Sequence, residues 1–242
     1  MILLRFKNNY TFTCAFLTAC YTGMRTGEVL ALTWDDIDLE KQIIKVNKTV
    51  YAKTKDENGR WYLGTTKTEG SCRDVYICDT LKIALQNYKK NQENNKKLYR
   101  KSYHNYYLKE VKNKYGKIVE YKIIELKHKS KNRSQINLVF TKNDGSYSGT
   151  DLLRYPFKII HKELNIKNCR FYDLRGSFAT KTLRGGIEIK DVSSVLGHSR
   201  VETTENYYIS SNEETKRSAS ESFEQIVQSK VIDEIINYDT EK

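Results

Sequence analysis

The chemical capacity of this chain rests on a few polar residues placed beside glycine turns and helix starts. Arg25 and Glu28 stand in Thr22-Gly23-Met24-Arg25-Thr26-Gly27-Glu28, and Arg175 stands in Tyr172-Asp173-Leu174-Arg175-Gly176-Ser177-Phe178-Ala179-Thr180. His198 follows Leu196-Gly197, with Tyr207 nine residues later and Tyr208 beside it. Lys67 sits in Thr66-Lys67-Thr68, on a turn between two strand-like runs, with Lys53, Lys55 and Arg73 expected on the same small sheet. Guanidinium groups match phosphate oxygens bidentately and stay charged at every working pH. A phenol can serve as a nucleophile, and lysine or histidine can move a proton. The usual catalytic constellations are missing: there is no GxSxG, no HExxH and no P-loop, and the glycines form no dinucleotide fingerprint. Five scattered cysteines without a CxxC pair, and four histidines, offer neither a disulfide framework nor a zinc ligand set. A reduced, metal-free, cytoplasmic protein is expected.

The elements that must position these residues are legible in outline. Thr11 to Tyr21 reads as a buried helix ended by Gly23, and Thr26 to Leu32 as a second helix. Three strand-like runs follow, Ile43 to Tyr51, Trp61 to Thr66 and Arg73 to Ile77, expected to form one small antiparallel sheet. Thr80 to Lys90 is amphipathic through Leu81, Ala84, Leu85 and Tyr88. Leu138-Val139-Phe140 reads as a short strand, Asp144-Gly145 as a turn, and a helix restarted or kinked at Pro156 runs to about Leu164. Asp173 to Leu183 and Ile189 to Leu196 are helical, each stopped by glycine. The tail at 212–238 again has helical spacing. With 242 residues and no Pro/Gly/Ser linker, a single mainly α domain with a small three-stranded antiparallel sheet (α+β) is expected.

Charge is concentrated. The chain carries a net +12, of which +11 lies between Lys89 and Arg133, a stretch rich in Lys, Asn and Tyr. So basic a protein usually meets a polyanion, and nucleic acid is the commonest. This stretch reads either as a solvated insertion or as a cationic arm on DNA, with Lys89, Lys90, Lys96, Lys97, Arg100 and Lys101 as phosphate contacts. Tyr107 to Leu126 has hairpin character around Lys114-Tyr115-Gly116. The longest mainly apolar run, Tyr10 to Tyr21, is too short to span a bilayer, which takes about 20 residues.

Together these segments resemble the tyrosine recombinases, the phage-integrase family. Thr22 to Asp38 resembles the first arginine box, Tyr172 to Thr180 the second, and Leu196-Gly197-His198-Ser199 with Tyr207 the last. Thr66-Lys67-Thr68 fits the lysine of the family's β-hairpin. The resemblance covers roughly Thr11 to Ser210. It implies that Arg25 and Arg175 clamp a scissile DNA phosphate and that Glu28 orients Arg25. It further implies that Lys67 protonates the departing 5′ oxygen, that His198 bonds the phosphate or positions the nucleophile, and that Tyr207 attacks, giving a 3′-phosphotyrosine. Neither metal nor nucleotide cofactor is implied. Partners would be double-stranded DNA and three further copies of the chain, a tetramer on two sites, with the isolated domain a monomer.

Two departures stand out. Where the family usually has histidines in the second box, this chain has Tyr172 and, after the arginine, Gly176. Tyrosine can donate a hydrogen bond but is a poor base at neutral pH, its ordinary pKa being about 10. The chain also starts almost at the first catalytic helix, so the family's N-terminal DNA-binding domain is expected to be absent. A non-catalytic DNA-binding relic and a type IB topoisomerase-like strand relaxer are the alternative readings.

Overall fold

A computed structural model of the chain describes residues 1–53, 60–65, 72–126, 135–198 and 202–209. A short helix, α1 (Ile2–Arg5), precedes α2 (Tyr10–Thr22). Helix α2 starts where the Asn9 side chain accepts the Phe12 N–H, and it is buried on most sides. It stops at Gly23, whose φ of 62° is left-handed and free of steric cost for glycine. A Cβ there would come within 2.6 Å of Phe178 and 2.7 Å of Leu196, so this end of α2 is pressed against distant helices. Helix α3 (Thr26–Leu30) follows at once, and a 3-10 turn over Trp34–Asp36 leads into the strands.

The strands are β1 (Ile37–Asp38), β2 (Ile43–Val46), β3 (Lys48–Ala52), β4 (Trp61–Thr65) and β5 (Arg73–Tyr76). The fold class is the expected mixture of helices with antiparallel sheet, but the strands are distributed differently. The run from Ile43 to Tyr51 breaks at Asn47. Its first half, β2, pairs with β1 and β5 in a three-stranded sheet, and its second half, β3, pairs with β4 in another. The break follows from the buried carboxylate of Asp36, which takes hydrogen bonds from the Asn47 amide and the Lys48 ammonium as well as from Thr33. A buried carboxylate needs such partners, and recruiting two neighbouring residues turns the chain out of its first sheet.

The Lys/Asn/Tyr-rich stretch is three structural pieces. Helix α4 (Asp79–Tyr99) runs well past Lys90, because the buried stripe of Leu81, Leu85 and Tyr88 continues in a polar residue, Gln92. After a 3-10 turn at Arg100–Ser102 comes the hairpin of β6 (Tyr106–Lys112) and β7 (Ile118–Glu125), as its sequence suggested. The Asn113 side chain accepts the N–H groups of Tyr115 and Lys117 to close the turn. Strand β7 pairs with β4, and β6 with β8 (Gln135–Ile136), which makes a five-stranded sheet in the order β3-β4-β7-β6-β8. This part of the stretch is therefore integral to a sheet, with Ile123, Glu120 and Lys122 all buried. Glu120 is matched by Tyr51 and Lys53 across that sheet.

Leu138-Val139-Phe140 is not a strand, and the chain bends at Val139 and Phe140. Leu138 makes a single bridge to Thr33, while the carbonyls of Leu138 and Val139 are taken by the Gln92 side chain. A 3-10 turn over Gly149–Leu153 leads into α5 (Arg154–Lys162), in which Pro156 occupies the first turn, where its missing N–H costs nothing. Helices α6 (Asp173–Arg184), α7 (Ile189–Leu196) and α8 (Glu202–Ile209) complete the described chain. The tail at 212–238 lies outside the described residues, as does 127–134 of the basic stretch. One large core joins α2, α3, α4, α5 and both sheets, and a small second core joins α6 and α7 through Ala179, Leu183, Val192 and Leu196.

Gln92 holds α4 to the rest: its amide nitrogen donates to Leu138 O, Val139 O and Thr141 Oγ1, and its oxygen accepts from Trp34 Nε1 at 2.7 Å. Gln92→Leu strands these groups and should cost about 2–3 kcal/mol, since each unsatisfied buried polar group costs about 1–3 kcal/mol. Urea unfolding measures it, and a loss below about 0.5 kcal/mol would contradict this role.

Candidate active site

Four of the polar residues singled out in the sequence, Arg25, Glu28, Arg175 and His198, lie together around the C-terminal end of α7. Arg25 lies at the N-terminus of α3 in extended backbone, so Glu28, one turn on, can reach back to it. One Glu28 oxygen accepts the Arg25 backbone N–H at 2.8 Å and the other accepts Arg25 Nη1 at 2.9 Å. A second guanidinium comes from Arg73 at the start of β5, with Nη2 and Nη1 donating to the same two oxygens at 2.8 and 3.2 Å. Glu28 is only 4% exposed. Burial raises its pKa, but the hydrogen bonds and charge of Arg73, followed by those of Arg25, outweigh that and hold the carboxyl below its ordinary range.

Arg175, in the first turn of α6, is 1% exposed. Its Nη1 donates to Gly23 O and its Nη2 to Leu196 O, both at 2.8 Å, which ties the end of α2 to the end of α7. Its Nε is buried and has no hydrogen-bond partner among the described residues. Burial first, and the neighbouring Arg25 next, lower its pKa to about 10, which leaves it charged at neutral pH. Arg25 Nη2 donates to Gly197 O at 3.2 Å and Arg73 Nε to Val195 O at 2.8 Å. Three arginines thus bond three successive carbonyls at the C-terminus of α7, the end of a helix that carries unpaired acceptors and partial negative charge.

His198 follows Gly197, whose φ of 67° ends α7. The His198 N–H bonds Ser193 O and the Gly197 N–H bonds Ser194 O, a Schellman closure that fixes where the imidazole emerges. The ring is held through Nδ1 by Thr204 Oγ1 of α8 at 2.8 Å, and Thr204 is fully buried. Burial, then Arg175, Arg25 and Arg73, push the His198 pKa down to about 4. Tyr207 lies in α8, three residues beyond Thr204, with Tyr208 beside it; the side chains of both are outside the described residues.

Lys67 is in the connection from β4 to β5, outside the described residues. Tyr172 precedes α6 and is 45% exposed, close enough to interact electrostatically with Arg175. Of the basic residues on and after α4, Lys89 lies over Trp34 and Lys96 over Tyr103, both half-buried, whereas Lys90, Lys97, Arg100 and Lys101 are exposed. Arg73 was legible only as a neighbour of Lys67 on the strands, because nothing local in the sequence pairs it with Glu28. Among the described residues the cluster has one carboxylate for three guanidiniums, a buried N–H without a partner and a neutral imidazole beside it. Such a cluster is built to receive an oxyanion.

Comparison with known proteins gives the same direction. The sequence matches the family model described as "Phage integrase family" over residues 3–215. It is 31% identical over 198 residues to a XerC-like tyrosine recombinase of Caldanaerobacter subterraneus subsp. tengcongensis, covering 80% of this chain and 44% of that protein. To the ICEBs1 integrase of Bacillus subtilis it is 28% identical over 205 residues, covering 85% of this chain and 45% of the relative. The chain therefore spans somewhat under half the length of these relatives. Its fold matches the Tn1549 transposon integrase, solved with transposon right-end DNA, with a TM-score of 0.64 at 20% identity, over 92% of this chain and 62% of that one. The XerA recombinase crystal structure matches with a TM-score of 0.58 at 19% identity, over 94% and 62%.

The His198 shift has a consequence for stability. Its folded value of about 4 lies below the ordinary 6.5, so the unfolded chain binds this proton more readily. Stability should therefore fall as pH drops from about 6.5 towards 4, and Glu28, also held low, adds a loss at the acid end. In urea unfolding at a series of pH values, His198→Asn should flatten the slope between pH 6.5 and 4. Identical slopes in wild type and variant would contradict the assignment.

Proposed function

The chain belongs to the phage integrase family, and on that premise we propose that it is the catalytic domain of a site-specific DNA recombinase. It cleaves and rejoins strands through a covalent 3′-phosphotyrosine, in integration and excision of a phage or other mobile element. The observation that carries the reading is the Arg25–Arg175–His198 cluster around Glu28, in which Arg175 keeps a buried Nε without a partner. In this reading, the scissile phosphate sits against Arg25 and the Nε edge of Arg175, and the guanidiniums offset the charge that grows on its non-bridging oxygens. The Tyr207 phenol oxygen attacks phosphorus and gives up its proton to water, the bond from phosphorus to the 5′ oxygen breaks, and Lys67 supplies the proton that the departing oxygen takes up. A hydroxyl of a second strand later reverses these steps, which conserves the bond energy as an ester.

His198, neutral at pH 7 and held by Thr204 through Nδ1, would serve the phosphate or the nucleophile as an uncharged hydrogen-bonding group. Tyr172 would add a hydrogen-bond donor at the rim and not a general base. No metal is required, because fixed guanidiniums supply the positive charge. Duplex DNA is the substrate, and the exposed Lys90, Lys97, Arg100 and Lys101 are suited to its backbone. No helix among the described residues is long and apolar enough to cross a membrane. A cytoplasmic protein that acts as a tetramer on paired sites fits the proposal. The recombinase and integrase names of the relatives favour strand exchange over topoisomerase-like relaxation and over an inactive relic.

A nicked suicide duplex carrying the element's attachment sequence tests this. Wild type and Tyr208→Phe should give an SDS-resistant protein–DNA adduct, while Tyr207→Phe should give none and Arg175→Gln should lower the rate by at least about 100-fold, the range seen for loss of one oxyanion donor. An adduct that survives Tyr207→Phe would overturn the assignment of the nucleophile.

A further inference from the structure

Arg73 differs from the other two arginines of the cluster in one respect: it is buried and bonded through every one of its side-chain nitrogens. Its side chain is 8% exposed, and each of its three nitrogens is engaged, Nη1 and Nη2 with the Glu28 carboxylate and Nε with Val195 O. Arg25, by contrast, has a side chain 40% exposed, and Arg175 has its unpartnered Nε. The surroundings of Arg73 are built around it. A Cβ on Gly197 would come within 3.0 Å of Arg73 Cδ and Nη1, so the glycine that ends α7 also makes room for this guanidinium.

What Arg73 joins is informative. Glu28 is the residue that holds Arg25, through both its side chain and its backbone N–H. Val195 belongs to the last turn of α7, two residues before the glycine from which His198 emerges. Arg73 is also the first residue of β5, the strand that follows the segment carrying Lys67. One side chain therefore couples the Arg25 holder, the His198 helix and the strand leading from Lys67.

We infer that Arg73 is a positioning residue, which acts through Glu28 and the C-terminal turn of α7 to keep Arg25 and His198 aligned on one bound phosphate. This rests on the transesterification reading given above, and it makes no direct contact between Arg73 and DNA. A lysine cannot substitute, because one ammonium point charge cannot span both Glu28 oxygens and the Val195 carbonyl.

The test uses the full chain with Arg73→Lys, Glu28→Gln and the double variant, on the same nicked suicide duplex under single turnover. Arg73→Lys should lower the adduct-forming rate constant at saturating duplex at least 10-fold, with the half-saturating concentration within twofold of wild type. Because both residues act through one contact, the double variant should fall no more than about twofold below the slower single variant. A rate within twofold of wild type overturns the inference. Multiplied losses in the double variant also overturn it, since they would mean that Arg73 acts independently of Glu28. So would a change confined to half-saturation, the mark of a ground-state DNA contact.

Amide hydrogen exchange without DNA decides the matter separately. In Arg73→Lys the Gly197 and His198 amides should exchange at least 10-fold faster, while those of β7 keep their wild-type rates. Unchanged exchange at Gly197 and His198 overturns the inference. If wild type forms no adduct, the transesterification reading falls, and the exchange result alone decides whether Arg73 positions the end of α7.

Discussion

Three guanidinium groups cannot gather in a nearly dry pocket unless something offsets their mutual repulsion, and in this protein the offset is one buried carboxylate and one helix end. Glu28 takes four hydrogen bonds, two from Arg25 and two from Arg73. The three carbonyls at the end of α7 take one each from Arg73, Arg175 and Arg25. These seven bonds fix the relative positions of α3, β5, α6 and α7, elements far apart in sequence. They leave the cluster short of negative charge, the deficit that the proposed scissile phosphate would make up. Its construction before any ligand arrives is what preorganised electrostatic catalysis requires.

The glycines of the site follow from the same constraint. Gly23 and Gly197 end α2 and α7 in left-handed backbone, and each lies against a side chain from another element, Phe178 in one case and Arg73 in the other. Each also presents its carbonyl to an arginine, Gly23 to Arg175 and Gly197 to Arg25. A side chain at either position would strain the turn, crowding Phe178 and Leu196 at Gly23 and the Arg73 guanidinium at Gly197. The boxes around Arg25 and His198 therefore encode backbone geometry as much as chemical groups.

Local signals in the sequence carried much of this. Helix α7 and its glycine stop were legible because capping is a short-range matter, and so was the Asn113–Lys117 hairpin turn. The strand partners were not. The division of Ile43–Tyr51 between two sheets depends on Asp36, a buried carboxylate whose need for Asn47 and Lys48 appears only in three dimensions. Helix α4 was read short because Gln92, a polar residue, occupies the next core position. The basic stretch looked like an appendage by composition, yet β7 supplies the centre of a five-stranded sheet. Arg25, Glu28, Arg175 and His198 were found by motif; Arg73 was missed as a partner because its meaning lies wholly in contacts with α3 and α7.

The central claim is that this arginine cluster is a phosphate site. The most direct measurement is a crystal structure of the full chain bound to duplex DNA. The account predicts a backbone phosphate within hydrogen-bonding distance, about 2.7–3.2 Å, of Arg175 Nε and an Arg25 nitrogen, with Glu28 and Arg73 still paired. A duplex bound with its phosphates elsewhere, and Arg175 Nε still without a partner, would contradict it.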